Sequence, residues 1–165
     1  MSSSFASKEN KKTKPLRLLL CFSFVLEILL LAMPYIAMVQ ENIYYSKTIV
    51  QLIITMMSTE EQQWFRLGVV AIIFAVIPIV GFFFAVFDKN SLLKCVVGCI
   101  CSFLGIFCIV FIIPQFSSVL AIGAMTAIVL YLFAFAISVS LALKTLGIRA
   151  LKKQEERVAK EHNEA

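Results

Sequence analysis

The sequence predicts an all-α membrane protein. The fold is a four-transmembrane-helix antiparallel bundle with both termini cytoplasmic and a short amphipathic helix in the outer loop between helices one and two. Three observations carry this. Four long apolar runs, at about 16–39, 64–87, 92–113 and 118–143, are separated by short polar breaks. Each suffices to cross a hydrocarbon layer of about 30 Å, which needs about 20 helical residues. Of the 165 residues, 61% are hydrophobic and the mean hydropathy is +0.93, whereas soluble domains average about 45–50% apolar. Finally, the basic residues cluster. The N-terminal tail holds Lys8, Lys11, Lys12, Lys14 and Arg17, the break after the second run holds Lys89 and Lys94, and the C-terminal tail holds Lys144, Arg149, Lys152, Lys153, Arg157 and Lys160. An even number of spans puts all three segments on one side, leaving Lys47 and Arg66 on the other. Positive charge stays cytoplasmic, so a multi-pass protein of a bacterial cytoplasmic membrane is expected. The runs do not alternate as barrel strands would, and helices satisfy their own backbone in lipid.

Residues 1–15 are rich in Ser and Lys and are expected to be a disordered basic tail. Pro15 fits the entry to the first helix, where its missing N–H costs nothing. The first run exceeds the 7–15 apolar residues of a signal peptide and lacks a small-x-small site after it, so it is expected to be a retained span. Pro34 removes the bond to the carbonyl of Leu30 and predicts a bend near its outer end.

The outer loop spans 40–63. Within it Lys47, Gln51, Thr55 and Ser58 recur on one face of a helix, and Val50, Ile53, Ile54 and Met57 on another. Residues 49–57 are too few to span, so this helix lies on the outer leaflet, caps the bundle or receives a partner. Ser58 and Glu61 have the spacing of a capping box. Trp64 and Phe65 suit the outer interface, and Pro78 predicts a kink in helix two. Asp88–Ser91 and Pro114–Ser117 predict tight turns that force helices two, three and four to pack as antiparallel neighbours. From Lys144 to the end, residues 144–165, a charged cytoplasmic helical tail continues helix four.

Small residues let helices approach closely in lipid. On helix three, Gly98, Cys101, Ser102, Gly105 and Cys108 fall on one side and Val96, Ile100, Phe103, Phe107 and Phe111 on the other. The first side is expected to face the bundle. On helix four, Ala127, Tyr131, Ala134, Ser138 and Ala142 form a similar stripe. The basic residues Lys11, Lys12, Lys14, Arg17, Lys144, Arg149, Lys152 and Lys153 are expected to contact anionic lipid headgroups, each contributing about 1 kcal/mol near the surface. Membrane orientation accounts for these charges without nucleic acid.

Glu27 is the one ionisable residue deep in a run, about ten residues into helix one. A charge at mid-membrane costs about 2.5–3.5 kcal/mol or more, and even a neutral carboxyl needs hydrogen-bond partners. Ser23 lies one turn away, and Tyr131 at a similar depth on helix four. Glu27 is therefore expected to point into the bundle and to bond Tyr131, Ser138 or a water, forming a polar cluster with Ser23.

The five cysteines, Cys21, Cys95, Cys99, Cys101 and Cys108, show neither a disulfide framework nor zinc-ligand spacing. They suit packing, and Cys21 and Cys95 suit acylation at the inner interface. No cofactor is expected. No acid pair, Cys–His pair or Ser triad shares a membrane depth, which argues against an enzyme. Two functions remain. One is a non-enzymatic accessory or scaffold protein that meets the bilayer, another membrane protein or a second copy of itself. The alternative is a small proton-coupled transporter or pore using Glu27.

Overall fold

A computed structural model describes residues 2–40, 43–58, 62–87, 91–112 and 119–164. The protein is mostly helical. Its elements in order are α1 (Ser2–Leu30), β1 (Pro34–Gln40), β2 (Ile43–Thr48), α2 (Ile49–Met57), α3 (Gln62–Phe87), α4 (Ser91–Ile112), β3 (Val119–Leu120) and α5 (Ile122–Glu164). Among the described residues, three helical stretches are long and apolar enough to cross a membrane: Trp64–Phe87, Leu92–Phe111 and Ile122–Arg157. α1 is not among them, because residues 13–30 carry Lys14, Arg17 and Glu27.

The four long helices pack in a ring, with α1 against α3 and α5, and α4 against α3 and α5. Three glycines set the spacing. A Cβ on Gly81 would meet the Phe24 ring at 2.6 Å from Cζ, and one on Gly105 would sit 2.6 Å and 2.7 Å from Cε1 and Cε2 of Tyr131. A Cβ on Gly98 would collide with Ser138 Oγ while touching Leu20. Gly81 thus seats α1 on α3, and Gly98 and Gly105 seat α5 on α4.

Helix one differs from the expected span at both ends. It begins at Ser2, so the tail expected to be disordered is helical, and Pro15 lies inside the helix. Proline there gives up only one backbone bond and fixes a helical φ. At the other end the helix stops at Leu30. The amides of Leu31, Ala32 and Met33 bond to carbonyls three residues back, at 3.2, 3.3 and 2.8 Å, the tightened turn that closes many helices. Pro34 has no N–H to continue the ladder, and it opens β1 instead of bending a helix that runs on to residue 39.

A small antiparallel sheet of order β2-β1-β3 follows, an addition to the mostly helical fold that the sequence does not predict. Ile36 pairs with Leu120 and Ala37 with Val119, and the β1–β2 register ends at Pro34 opposite Thr48. Tyr, Ile, Val and Thr supply the β-branched and aromatic residues that strands favour. The amide of Ala121 donates to the carbonyl of Tyr35 at 3.2 Å, so the sheet sits on the start of α5. Gly123 permits this, because a Cβ there would collide with the Pro34 carbonyl oxygen.

α2 has Thr48 as N-cap. Its hydroxyl accepts from the Gln51 amide at 3.2 Å, and Gln51 Oε1 accepts from the Thr48 amide at 3.0 Å, a reciprocal capping box. The helix packs on α3 through Ile49, Leu52 and Met56. Val50, Ile54 and Met57, expected to share its apolar face with Ile53, are exposed. α5 has 43 residues and reaches about 65 Å, roughly twice a hydrocarbon layer. The expected capping box at 58–61 and the turns at 88–91 and 114–117 lie wholly or partly outside the described residues.

Candidate functional site

Glu27 sits in the last turn of α1, three residues before its end, rather than midway along a longer helix. It is 1% exposed, and neither carboxyl oxygen has a hydrogen-bond partner among the described residues. Tyr35, Cys101 and Tyr131 each lie within electrostatic reach of it. These residues come from β1, α4 and α5. The carboxyl therefore stands where three elements converge on the end of a fourth.

The expected hydrogen bonds from Glu27 to Tyr131 or Ser138 are not made, since the Tyr131 hydroxyl and Ser138 Oγ are also buried without partners among the described residues. For Ser138 the reason is depth. It lies against Gly98 and Leu20, and Leu20 is about 10 Å from Glu27 along α1. For Tyr131 the reason is its ring. The ring is wedged over Gly105 and packs edge-on against Phe74, with centroids 6.1 Å apart and planes at 66°. Ser23 is also drawn away, its hydroxyl donating to the Leu130 carbonyl at 3.5 Å, a long bond. The structure thus brings Ser23, Glu27 and Tyr131 into one region, separates Ser138 from it, and links none of them by a side-chain hydrogen bond.

Tyr35 and Phe74 belong to this region, and sequence reasoning passed over both. Tyr35 is 2% exposed, and its ring meets Phe74 edge-on at 5.5 Å. The signal was Pro34, whose break in the helix turns Tyr35 back over the bundle. Two tyrosines joined through the Phe74 ring therefore stand within electrostatic reach of a carboxyl that lacks a partner among the described residues. An unmet carboxyl costs free energy comparable to or larger than an unmet neutral group, about 1–3 kcal/mol. It is the least compensated polar group among the described residues.

The packing residues divide cleanly by exposure. Gly98, Cys101, Ser102, Gly105 and Cys108 are buried, and Ser102 returns its hydroxyl to the Gly98 carbonyl at 2.8 Å. Val96, Ile100, Phe103, Phe107 and Phe111 are 44–66% exposed. On α5, Ala127, Tyr131, Ala134 and Ser138 are buried and Ala142 is half-buried.

Toward the other end of the ring, Lys94 is 5% exposed and Nζ donates to the Ala85 carbonyl at 2.7 Å. A cation from α4 so completes the last turn of α3, where the helix dipole favours positive charge. The charge pattern marks Lys94 only as an orientation signal. Cys95 is 2% exposed, which removes it from an acylating enzyme, while Cys21 is half-buried. Lys14, Lys144, Arg149 and Lys153 are exposed and Arg17 is half-buried. The side chains of Lys11, Lys12 and Lys152 lie outside the described ones.

Among the described residues no three His, Cys, Asp or Glu side chains are grouped to hold a metal ion. Comparison of the chain with protein-family models, with curated proteins and with solved structures found no match.

Proposed function

We propose that this chain is a multi-pass protein of a bacterial cytoplasmic membrane, that α1 crosses as a fourth span beside the three apolar helices so that both termini are inside, and that Glu27 is its working group: a carboxyl that binds and releases a proton or small cation during transport. The single observation that carries this reading is the fully buried Glu27 carboxyl with no hydrogen-bond partner among the described residues. A structural clamp would be held by neighbouring donors, because a buried polar group without them is destabilising. Selection tolerates such a group where an exchanging ligand compensates it, and intramembrane carboxylates mark ion and proton paths. Tyr131 and Tyr35 act as positioning residues. Both are buried and lie within electrostatic reach of the carboxyl, so their hydroxyls are candidates to relay a proton. Glu27 is enclosed by the helices of one copy, so the path would run through the interior of that copy.

The second reading is a non-enzymatic accessory or scaffold protein that acts through contacts with lipid or with another membrane protein. The interlocks of Gly98 with Ser138 and of Gly105 with Tyr131 favour it, since they fill the interior between α4 and α5.

Reconstitution separates the two. Wild type and Glu27→Gln are placed in vesicles containing a pH dye, and a potassium diffusion potential is imposed. Proton or cation flux with wild type that disappears with Glu27→Gln, while the variant remains folded, supports transport. Equal flux through both, or none through either, leaves the accessory reading.

A further inference from the structure

α2 has three sides rather than two. At about 100° per residue, Ile49, Leu52 and Met56 point one way, Val50, Ile54 and Met57 a second, and Gln51, Thr55 and Ser58 a third, the directions roughly 120° apart. The first side is buried on α3, each residue 2% exposed. The second is open and apolar, at 54%, 65% and 43% exposure. The third is open and polar. One exposed surface that is apolar along one flank and polar along the next matches a boundary between two solvents.

The depth of α2 identifies that boundary. Gly68 of α3 meets α2, and a Cβ on it would touch Met56 Cβ at 3.2 Å and Met57 Sδ at 3.3 Å. The apolar stretch of α3 begins at Trp64, so this contact lies about 6 Å inside it, a helical turn further on. Phe65, Val69 and Ile72 of α3 are exposed alongside. The side-chain oxygens on the polar flank of α2 bond within the helix and its cap. Thr48 and Gln51 form the capping box, Thr55 Oγ1 donates to the Gln51 carbonyl at 2.8 Å, and Ser58 Oγ donates to the Thr55 carbonyl at 2.9 Å. The helix carries no charge; the cation Lys47 lies just before it in the chain, and Arg66 lies near the start of the apolar stretch of α3.

We propose that α2 is an in-plane membrane helix seated at the boundary between headgroups and hydrocarbon, with Val50, Ile54 and Met57 in the acyl chains and Gln51, Thr55 and Ser58 toward the headgroups. The partner of this surface is phospholipid. This placement rests on the membrane location proposed above and is independent of the role of Glu27.

The test uses the full chain in phosphatidylcholine vesicles. Trp64→Phe removes the one native tryptophan, and Ile54→Trp or Thr55→Trp then reports from the two flanks. Both positions are exposed, so the substitutions leave the packing alone, and circular dichroism checks the fold. Val50→Trp serves as a second reporter on the apolar flank. Lipids brominated near the headgroup end of their chains should quench the indole at position 54 or 50 severalfold more than the one at position 55, and aqueous acrylamide should show the reverse order. If acrylamide reaches positions 50 and 54 as readily as 55, the flank faces water and the proposal fails. If neither quencher reaches 50 and 54, a second copy or another protein covers the flank, and the proposal fails as well.

Discussion

Replacing Gly105 by Ala tests the interlock that supports the Glu27 region. The added methyl would enter the ring of Tyr131, within 2.6–2.7 Å of both Cε atoms. The ring cannot swing clear, because it is 1% exposed and Phe74 stands 6.1 Å away, centroid to centroid. Overpacking of this kind costs about 1–3 kcal/mol. A clash this short with a buried ring takes the upper part of that range, about 2–3 kcal/mol, and alanine returns about 1 kcal/mol of helix propensity relative to glycine, so the net loss should be about 1–2 kcal/mol. For a chain of this size that is a fall of roughly 2–8 °C in Tm. A thiol-reactive dye suits the assay, because Cys101 and Cys108 are buried and react only as the bundle opens. Combining Gly105→Ala with Tyr131→Ala should remove the clash, so the methyl is neutral or favourable in that background and a double-mutant cycle gives a coupling of at least about 1 kcal/mol. If Gly105→Ala leaves Tm unchanged or raised, or if the two substitutions simply add, α4 and α5 do not interlock at this point.

Other outcomes follow from the same packing. Ser138→Ala should be neutral or raise Tm, since it removes a buried hydroxyl with no partner among the described residues, and losing an unmet group costs nothing. Lys94→Met should lower stability by about 1.5–3 kcal/mol, the typical worth of a hydrogen bond to a charged group, read by the same melt, because the Ala85 carbonyl loses its 2.7 Å donor. Gly123→Ala should loosen the sheet from α5, since its Cβ would meet a backbone oxygen of Pro34 and the Cβ of Met33 at 3.1 Å. Hydrogen exchange of the Ala121 amide, bonded to Tyr35, should accelerate in that variant.

The helix faces were legible because residue size and the 3.6-residue period coincide. Gly98, Cys101, Ser102, Gly105 and Cys108 stand out on one side of α4 in the sequence, and the same five are buried. The end of α1 was hidden by uniform apolarity. Residues 31–39 read as hydrophobic in either a helix or a strand, and pairing of β1 with β2 beside it and with Leu120 and Val119 far along the chain selects the strand. The start of α1 was missed because composition weighs charge and serine above the local helix preference of Lys, Glu and Ala. On α2 the length was readable, but the apolar face read from the period, Val50, Ile53, Ile54 and Met57, leaves out Ile49, Leu52 and Met56, the side that contact with α3 buries. Glu27 was legible as a costly residue. Its missing partner was not, because helix stagger decides whether Tyr131 or Ser138 can reach it, and the glycines that fix the stagger lie on α4.

The most direct test of the account is infrared difference spectroscopy of the reconstituted protein across a pH titration and after transfer to heavy water, with Glu27→Gln as reference. A working proton site predicts a carboxylic C=O band that shifts in heavy water, changes reversibly with pH and is absent from the variant. A Glu27 band that stays fixed across the titration and does not exchange would identify a sealed structural carboxyl and contradict the proposal.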